Sequence, residues 1–411
     1  LTVRAATQPR DTILFVSNGY GEDTIASSIV SQLLPRAAGY RVMAMPLVGE
    51  GRAYNQPGVE LVGPRELLPS GGLILARWAN ILHDLRAGLW RVTSHQMSVL
   101  RRLSGRLGAL VAVGDTYPVL MGGLFGRQRV IFVGTAKSNY FCPYSLMERF
   151  IFRRYCDVVF ARDEPTAETL RRHHIPARWV GNAMMDSIGV SGQALPLPAG
   201  VPRLGLLPGS RQTAYRDLPV MLDAVRYLSQ AQSLGYMMAL SDSLSLTELA
   251  ESARASGWTF RAAAGEQSGV EGWLSRDGAE ILLLRGRFGD VLAECTLIIG
   301  QAGTGNEQAA GAGKPIISFD SDGRRVPGWY RARQKGLLGD SLSIVERSGE
   351  AIAREAQAVM QDSQRYAAMQ QAGYARMGPP GASDKIASYI VEHVQRSTRQ
   401  VPCAYVAASL P

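Results

Sequence analysis

The sequence has little cysteine, and what it has is scattered. Cys142, Cys156, Cys295 and Cys403 form no Cys-x-x-Cys pair, so neither a zinc site nor a redox dithiol is predicted. Free thiols in a reducing compartment fit best. The five histidines offer no metal spacing either. His173 and His174 are adjacent, so on a helix they diverge by about 100°. No metal is therefore expected. No apolar run reaches the ~18 residues of a membrane-spanning helix. The opening "LTVRAATQPRD" lacks the apolar core of a signal peptide and reads as a short lead-in.

Lysine is almost missing. Apart from Lys137, Lys314, Lys335 and Lys385, the other 40 of the 44 basic residues are arginine. Arginine suits planar, bidentate contacts with phosphate and carboxylate. The net charge of +9 is compatible with nucleic acid, an anionic membrane surface or phosphorylated substrates. Aromatic residues make up only 8%, and no basic block is interleaved with them, which argues against a nucleic-acid partner. Nothing in the sequence names a protein partner.

What is present is an alternation of short apolar runs with longer helical patterns. Strands are predicted at Thr12–Ser17, Arg41–Met45, Ala109–Val113, Val130–Val133, Val158–Phe160 and Arg178–Val180. A second series follows at Arg203–Leu207, Tyr236–Leu240, Glu280–Leu284, Leu297–Ile299 and Ile316–Phe319. Runs this continuous are buried on both faces, as in parallel sheets built from βαβ units. Between the series, "SGQALPLPAGVPR" carries three prolines and two glycines and reads as a linker. The expected organisation is an α/β chain with one doubly wound, Rossmann-like domain at 11–190 and a linker at 191–203. A second such domain follows at 204–380, with a central cleft between the two, and a helix at 381–397 packs back on the first.

Ligands of doubly wound sheets bind beyond the carboxyl ends of the strands. The first strand is followed by "SNGYGEDTIASSIV". Gly21, Glu22 and Asp23 are candidate contacts for sugar hydroxyls; the other reading is a tight turn with Asp23 as helix N-cap. Thr24 replaces the third glycine of a dinucleotide fingerprint, and the second strand ends without an acid, so a dinucleotide is disfavoured. After "ALVAVG", Asp115 is placed to accept a proton from a substrate hydroxyl, or to cap the next helix. After "LGLL", Gly209 lets amides turn outward, Ser210 adds a hydroxyl and Arg211 a fork of charged donors. After "LIIG", the loop holding Gly303, Thr304, Gly305, Asn306 and Glu307 opens a helix, a second place for an anion. Thr304 and Glu307 also have the spacing of a capping box. It is not a Walker loop, because Lys314 comes after the helix.

Four segments carry a resemblance to lipid-A-disaccharide synthase-related proteins, of the two-domain GT-B glycosyltransferase superfamily. "GDTYPVL" at Gly114–Leu120 is similar to that family's aspartate motif. "WVGNAMMD" at Trp179–Asp186 resembles its Phe-Val-Gly-His-Pro-Leu-x-Asp signature, with Asn182 in place of the histidine and no proline after it. "LLPGSR" at Leu206–Arg211 matches nearly unchanged, and "GTGNEQAAGAGKP" resembles its donor-binding loop. The resemblance implies a GT-B fold and an inverting transfer of a sugar from a UDP-sugar, with no cofactor beyond that co-substrate. Ser210, Arg211, Thr304 and Glu307 would meet diphosphate and ribose, with Gly209, Gly303, Gly305 and Asn306 framing them. Phe288, in "RGRFGDVL", would lie by the uracil. Asp115 would be the base, and Gly21, Glu22, Asp23 and Asn182 would face the acceptor. A UDP-sugar epimerase on the same fold, or a relative that binds without catalysis, are the rival expectations.

The resemblance also implies a lipid-like acceptor and a cytoplasmic chain peripheral on the inner face of a membrane. Between Arg65 and Arg106 lie seven arginines against Glu66 and Asp84. Within it Arg77, Trp78, Leu82 and Arg86 mark a basic amphipathic segment, read either as a membrane contact or as a core-facing helix. "MERFIFRRY" at Met147–Tyr155 would widen that face.

Overall fold

The computed structural model describes residues 10–65, 89–197, 200–264, 269–320 and 329–399. It has two compact units, Leu1–Ser187 with Pro380–Pro411, and Ile188–Pro379. Arg77, Trp78, Leu82 and Arg86 lie outside the described residues.

Among the described residues the first unit has seven strands: β1 Thr12–Ser17, β2 Arg41–Pro46, β3 Val59–Leu61, β4 Leu107–Gly114, β5 Val130–Gly134, β6 Cys156–Phe160 and β7 Ala177–Arg178. Their order is β3-β2-β1-β4-β5-β6-β7, with every pairing parallel. β1 and β4 are buried along their whole length, as continuous apolar runs require in a sheet covered on both faces. The second unit holds β8 Arg203–Leu207, β9 Gly235–Leu240, β10 Thr259–Ala262, β11 Val270–Arg276, β12 Ala279–Arg285, β13 Leu297–Gly300, β14 Ile316–Phe319 and β15 Leu342–Val345. Their order is β10-β11-β12-β9-β8-β13-β14-β15. The sheet is parallel from β12 to β15 and antiparallel at β10–β11–β12. The two sheets are the doubly wound pair expected; the antiparallel edge, β3 and β15 are additions. β7 starts one residue earlier and stops sooner than Arg178–Val180.

In each sheet the chain leaves one strand in both lateral directions. The reversal falls between β1 and β4 in the first and between β8 and β13 in the second. These are the switch points at which open α/β sheets bind ligands. They put Asn18 and Gly19 beside Gly114 and Asp115, and Pro208 and Gly209 beside Gln301 and Ala302.

The segment expected as a linker begins as part of the second unit. Ser191 N–H donates to Asp290 at 2.8 Å, and Arg287 donates to the Gln193 carbonyl at 2.8 Å. The helix Ala382–Arg399 belongs to the first unit and packs on the helix Tyr20–Leu33 and on β4. Its Ile386, Ala387, Ile390 and Val394 are buried. Tyr389 meets Phe160 edge-on, with ring centroids 5.3 Å apart. The start of the helix is held by Asp186, whose carboxylate accepts from Ser383 N–H at 2.7 Å and also from Gly381 N–H. The last residue of "WVGNAMMD" is thus an anchor for the C-terminal helix.

Asp186→Ala leaves two amides without their charged acceptor. Bonds of this kind contribute about 2 kcal/mol, so denaturant unfolding of the first unit should shift by that amount, with Asp186→Asn intermediate. A shift under about 0.5 kcal/mol would contradict the anchoring role.

Candidate functional site

The donor-side candidates converge at the second switch point. β8 and β13 pair in parallel with Leu207 opposite Gly300, so the loops that follow leave side by side. A Cβ added to Gly209 would stand 3.5 Å from the Gln301 carbonyl oxygen and 3.8 Å from Ala302 Cα. The Phe288 ring lies 3.6 Å from the position of a Cβ on Gly305. "LPGSR", "GTGNE" and Phe288 are therefore one cluster.

Ser210, Arg211 and Thr304 are exposed there, and Phe288, Gly303, Gly305 and Glu307 are half-buried. The helix Thr304–Gly311 has Gly303 as its N-cap, with no side-chain cap, so the Thr304–Glu307 capping box is not formed. The amides of Ala302, Gly303, Thr304 and Gly305 have no hydrogen-bond partner among the described residues, nor do those of Gly209, Ser210 and Arg211. The Ser210 carbonyl is turned away, accepting from Ser243 Oγ at 2.7 Å. Several other arginines of this unit are paired with carboxylates, among them Arg285 with Glu271 and Arg287 with Asp290. Arg211 makes no ion pair among the described residues. Amides without a partner among the described residues, two hydroxyls, a helix N-terminus and a guanidinium outside any ion pair there have the chemistry to hold an anion.

Asn306 departs from expectation. It is fully buried, donating to the Gly300 carbonyl at 3.1 Å and to Gln334 Oε1 at 3.3 Å. A Cβ on Gly300 would fall 2.1 Å from Asn306 Oδ1, so only glycine fits beneath it. Asn306 braces the loop from below and does not reach its surface. Sequence reasoning also missed Gln301, Arg331 and Gln334, which sit under the same loop.

At the first switch point Asp115 does cap the next helix: one carboxylate oxygen accepts from Tyr117 N–H at 2.8 Å. The other oxygen has no partner among the described residues, and the side chain is half-exposed. Capping and proton acceptance are compatible, because the cap fixes the carboxylate while one oxygen stays available. Gly114 has φ 133°, and a Cβ there would meet Asn18 Oδ1 at 2.5 Å.

The helix after β1 begins at Tyr20, not near Asp23. Its N-cap is Gly19, with φ 133° and ψ 173°, a backbone state open to glycine alone, pressed against the Val48 carbonyl. Asp23 is therefore no N-cap. It is 3% exposed in the first turn, accepting from Ser17 Oγ at 2.5 Å, and Ser17 Oγ lies 2.7 Å from the Tyr54 hydroxyl. Burial raises its carboxyl to about 6, against the lowering effect of the Ser17 hydrogen bond. Of the acceptor-side candidates, Gly21 is exposed with nothing within 4 Å of an added Cβ, and Glu22 is half-buried. Asn182 is buried in a turn, its Oδ1 accepting from Met184 N–H at 3.1 Å, so it presents no surface. Asp23 is a buried brace instead of a surface contact.

A carboxyl raised in the folded chain binds its proton more tightly there than in the unfolded one. Its stabilising contribution is complete below about pH 4 and is lost as pH rises through about 6. Asp23→Asn removes that titration. The wild-type melting temperature should therefore fall relative to the variant between pH 4 and 7; parallel curves would contradict a buried, proton-holding Asp23.

No protein-family model matches the chain. A lipid-A-disaccharide synthase of Trichlorobacter lovleyi is 24% identical over 246 residues, 54% of this chain and 59% of that protein. The chain thus spans somewhat more than half the length of this relative. Among solved structures, the UDP-GlcNAc 2-epimerase of Neisseria meningitidis bound to UDP-GlcNAc superimposes with a TM-score of 0.59 at 12% identity, covering 94% of this chain and 100% of the other. MurG of Acinetobacter baumannii gives 0.56 at 15%, covering 93% and 99%. The calicheamicin glycosyltransferase CalG4 gives 0.57 at 15%, covering 95% and 99%. The chain carries the GT-B fold found in glycosyltransferases and epimerases, and its sequence resembles lipid-A-disaccharide synthase.

Proposed function

We propose that the chain is an inverting glycosyltransferase that moves a sugar from a UDP-sugar to a lipid-like acceptor at an anionic membrane surface. The observation that carries the donor half is the cluster of outward amides at the β8/β13 switch point, with Arg211 uncommitted beside it. The likeness to a structure bound to UDP-GlcNAc and to lipid-A-disaccharide synthase supports the same reading.

In this mechanism Asp115 takes the proton of the acceptor hydroxyl as its oxygen bonds to the anomeric carbon. The bond from that carbon to the diphosphate breaks, and UDP leaves with the electron pair. The amides of 302–305 and 209–211, with the Arg211 guanidinium, meet the charge developing on the leaving diphosphate, so no metal is required for that step. Phe288 flanks the base, and Thr304 and Glu307 the ribose and phosphate.

The lipid half rests on the helix Leu146–Tyr155. Leu146, Met147 and Phe150 are 77%, 68% and 61% exposed, and Arg153 and Arg154 follow on the same helix, also exposed. Trp90, at the start of the helix Leu89–Leu103, is 72% exposed. The apolar helix stands next to the one capped by Asp115, joined through Thr116 Oγ1 and Glu148 Oε1 at 3.0 Å. Large apolar side chains in water beside arginines suit an anionic bilayer. Among the described residues no helix is long and apolar enough to cross a membrane.

The epimerase reading stands second, favoured by the epimerase likeness. Incubation with UDP-GlcNAc alone separates the two: a 2-epimer formed without acceptor favours it. For the transferase, Asp115→Asn should leave UDP affinity within twofold while transfer falls by roughly 10²–10⁴-fold. Unchanged transfer would remove Asp115 as the base. Met147→Glu with Phe150→Glu should abolish co-sedimentation with phosphatidylglycerol-rich vesicles without loss of UDP binding; undiminished co-sedimentation would exclude this helix as the contact.

A further inference from the structure

Beneath the glycine-rich loop lies a polar network that the reading so far leaves unused. The helix Trp329–Leu338 sends Arg331 and Gln334, 4% and 5% exposed, under residues 300–306. Arg331 donates to Gln334 Oε1 at 2.6 Å, to the Phe319 carbonyl at 3.2 Å and to Gln301 Oε1. Gln334 Oε1 also accepts from Asn306 Nδ2. Its Nε2 donates to the Ala302 carbonyl at 2.9 Å and the Gly303 carbonyl at 3.3 Å. Gln301 Nε2 donates to the Phe319 carbonyl at 2.9 Å.

Direction is what this network supplies. A guanidinium can only donate, so it fixes both glutamine oxygens toward itself and both amide nitrogens away. The Gln334 nitrogen then draws the Ala302 and Gly303 carbonyls inward. A trans peptide points its C=O and its N–H to opposite sides. Inward carbonyls on Ala302 and Gly303 therefore aim the amides of Gly303 and Thr304 outward, and these are two of the amides without a partner among the described residues. The Gly303 carbonyl is also held by the start of the helix, accepting from Asn306 N–H at 3.1 Å and Glu307 N–H at 3.3 Å, so the peptide that depends on Gln334 is the one joining Ala302 to Gly303, which left alone could turn either group to the surface.

We propose that Arg331 and Gln334 are positioning residues for an anionic, diphosphate-bearing ligand: they hold the carbonyls of the loop inward so that its amides face the anion. The inference rests on the donor reading above, and it adds that the preference for diphosphate over an uncharged nucleoside is set from beneath the loop by side chains that never touch the ligand.

The test compares UDP with uridine. Gln334→Leu keeps the volume and removes the donor; Gln334→Glu puts a second acceptor against the two carbonyls. UDP affinity by calorimetry should fall about tenfold for Gln334→Leu and further for Gln334→Glu. Uridine affinity, by ligand-observed NMR, should stay within twofold. Arg331→Lys keeps the charge but cannot orient both glutamines, so it should also lose UDP selectively. If Gln334→Leu does not fold, Gln334→Met and Arg331→Lys give the same comparison. Equal losses for UDP and uridine would reduce the network to a structural role and overturn the proposal, as would unchanged UDP affinity. A wild-type chain that binds no UDP overturns the donor reading, and this proposal with it.

Discussion

The parallel pairing of β8 with β13 is the constraint on which the candidate donor site depends. It joins strands more than ninety residues apart and sets Leu207 level with Gly300. Because both strands stop at that level, the two loops must leave together, and the helices after them start from the same edge. Each loop alone is a glycine turn of no special meaning. Side by side they form a surface of amides without a partner among the described residues, a chemistry suited to an anion. Gly300 and Asn306 keep the second loop close to the sheet, and the network from Arg331 governs which way its peptide groups face.

The first unit repeats the plan with different chemistry. Its switch point adds two carboxylates, Asp115 and Asp23, to loop amides of the same kind: those of Gly19, Tyr20, Gly21 and Thr116 also have no partner among the described residues. Asp115 is held by its own helix with one oxygen to spare. Asp23 is buried with a hydroxyl from Ser17, and the low polarity around it holds its proton to nearly neutral pH. One topology thus carries an exposed arginine beside one switch point and two carboxylates at the other.

Much of this was legible in the sequence because fully buried strands leave continuous apolar runs. Thr12–Ser17, Arg203–Leu207 and Ile316–Phe319 are found at the residues predicted. β10, with Thr259 and Arg261 facing water, leaves no such run, and β3 is three partly exposed residues. Asp23 reads as an N-cap because aspartate favours that place, yet the backbone at Gly19 starts the helix four residues sooner. Asn306 has the composition of a binding loop and the burial of a brace, and composition does not separate the two. Asp186 stands in a recognisable motif, but its partners Gly381 and Ser383 are nearly two hundred residues away. Arg331 and Gln334 are illegible for the same reason: only the folded sheet brings their helix under the loop.

Amide hydrogen exchange with and without UDP tests the central claim most directly. The account predicts slowed exchange concentrated at 209–211 and 302–305, with β1, β4 and the segment 18–24 unchanged. Protection centred on the first switch point, or none at either loop of the second, would contradict it.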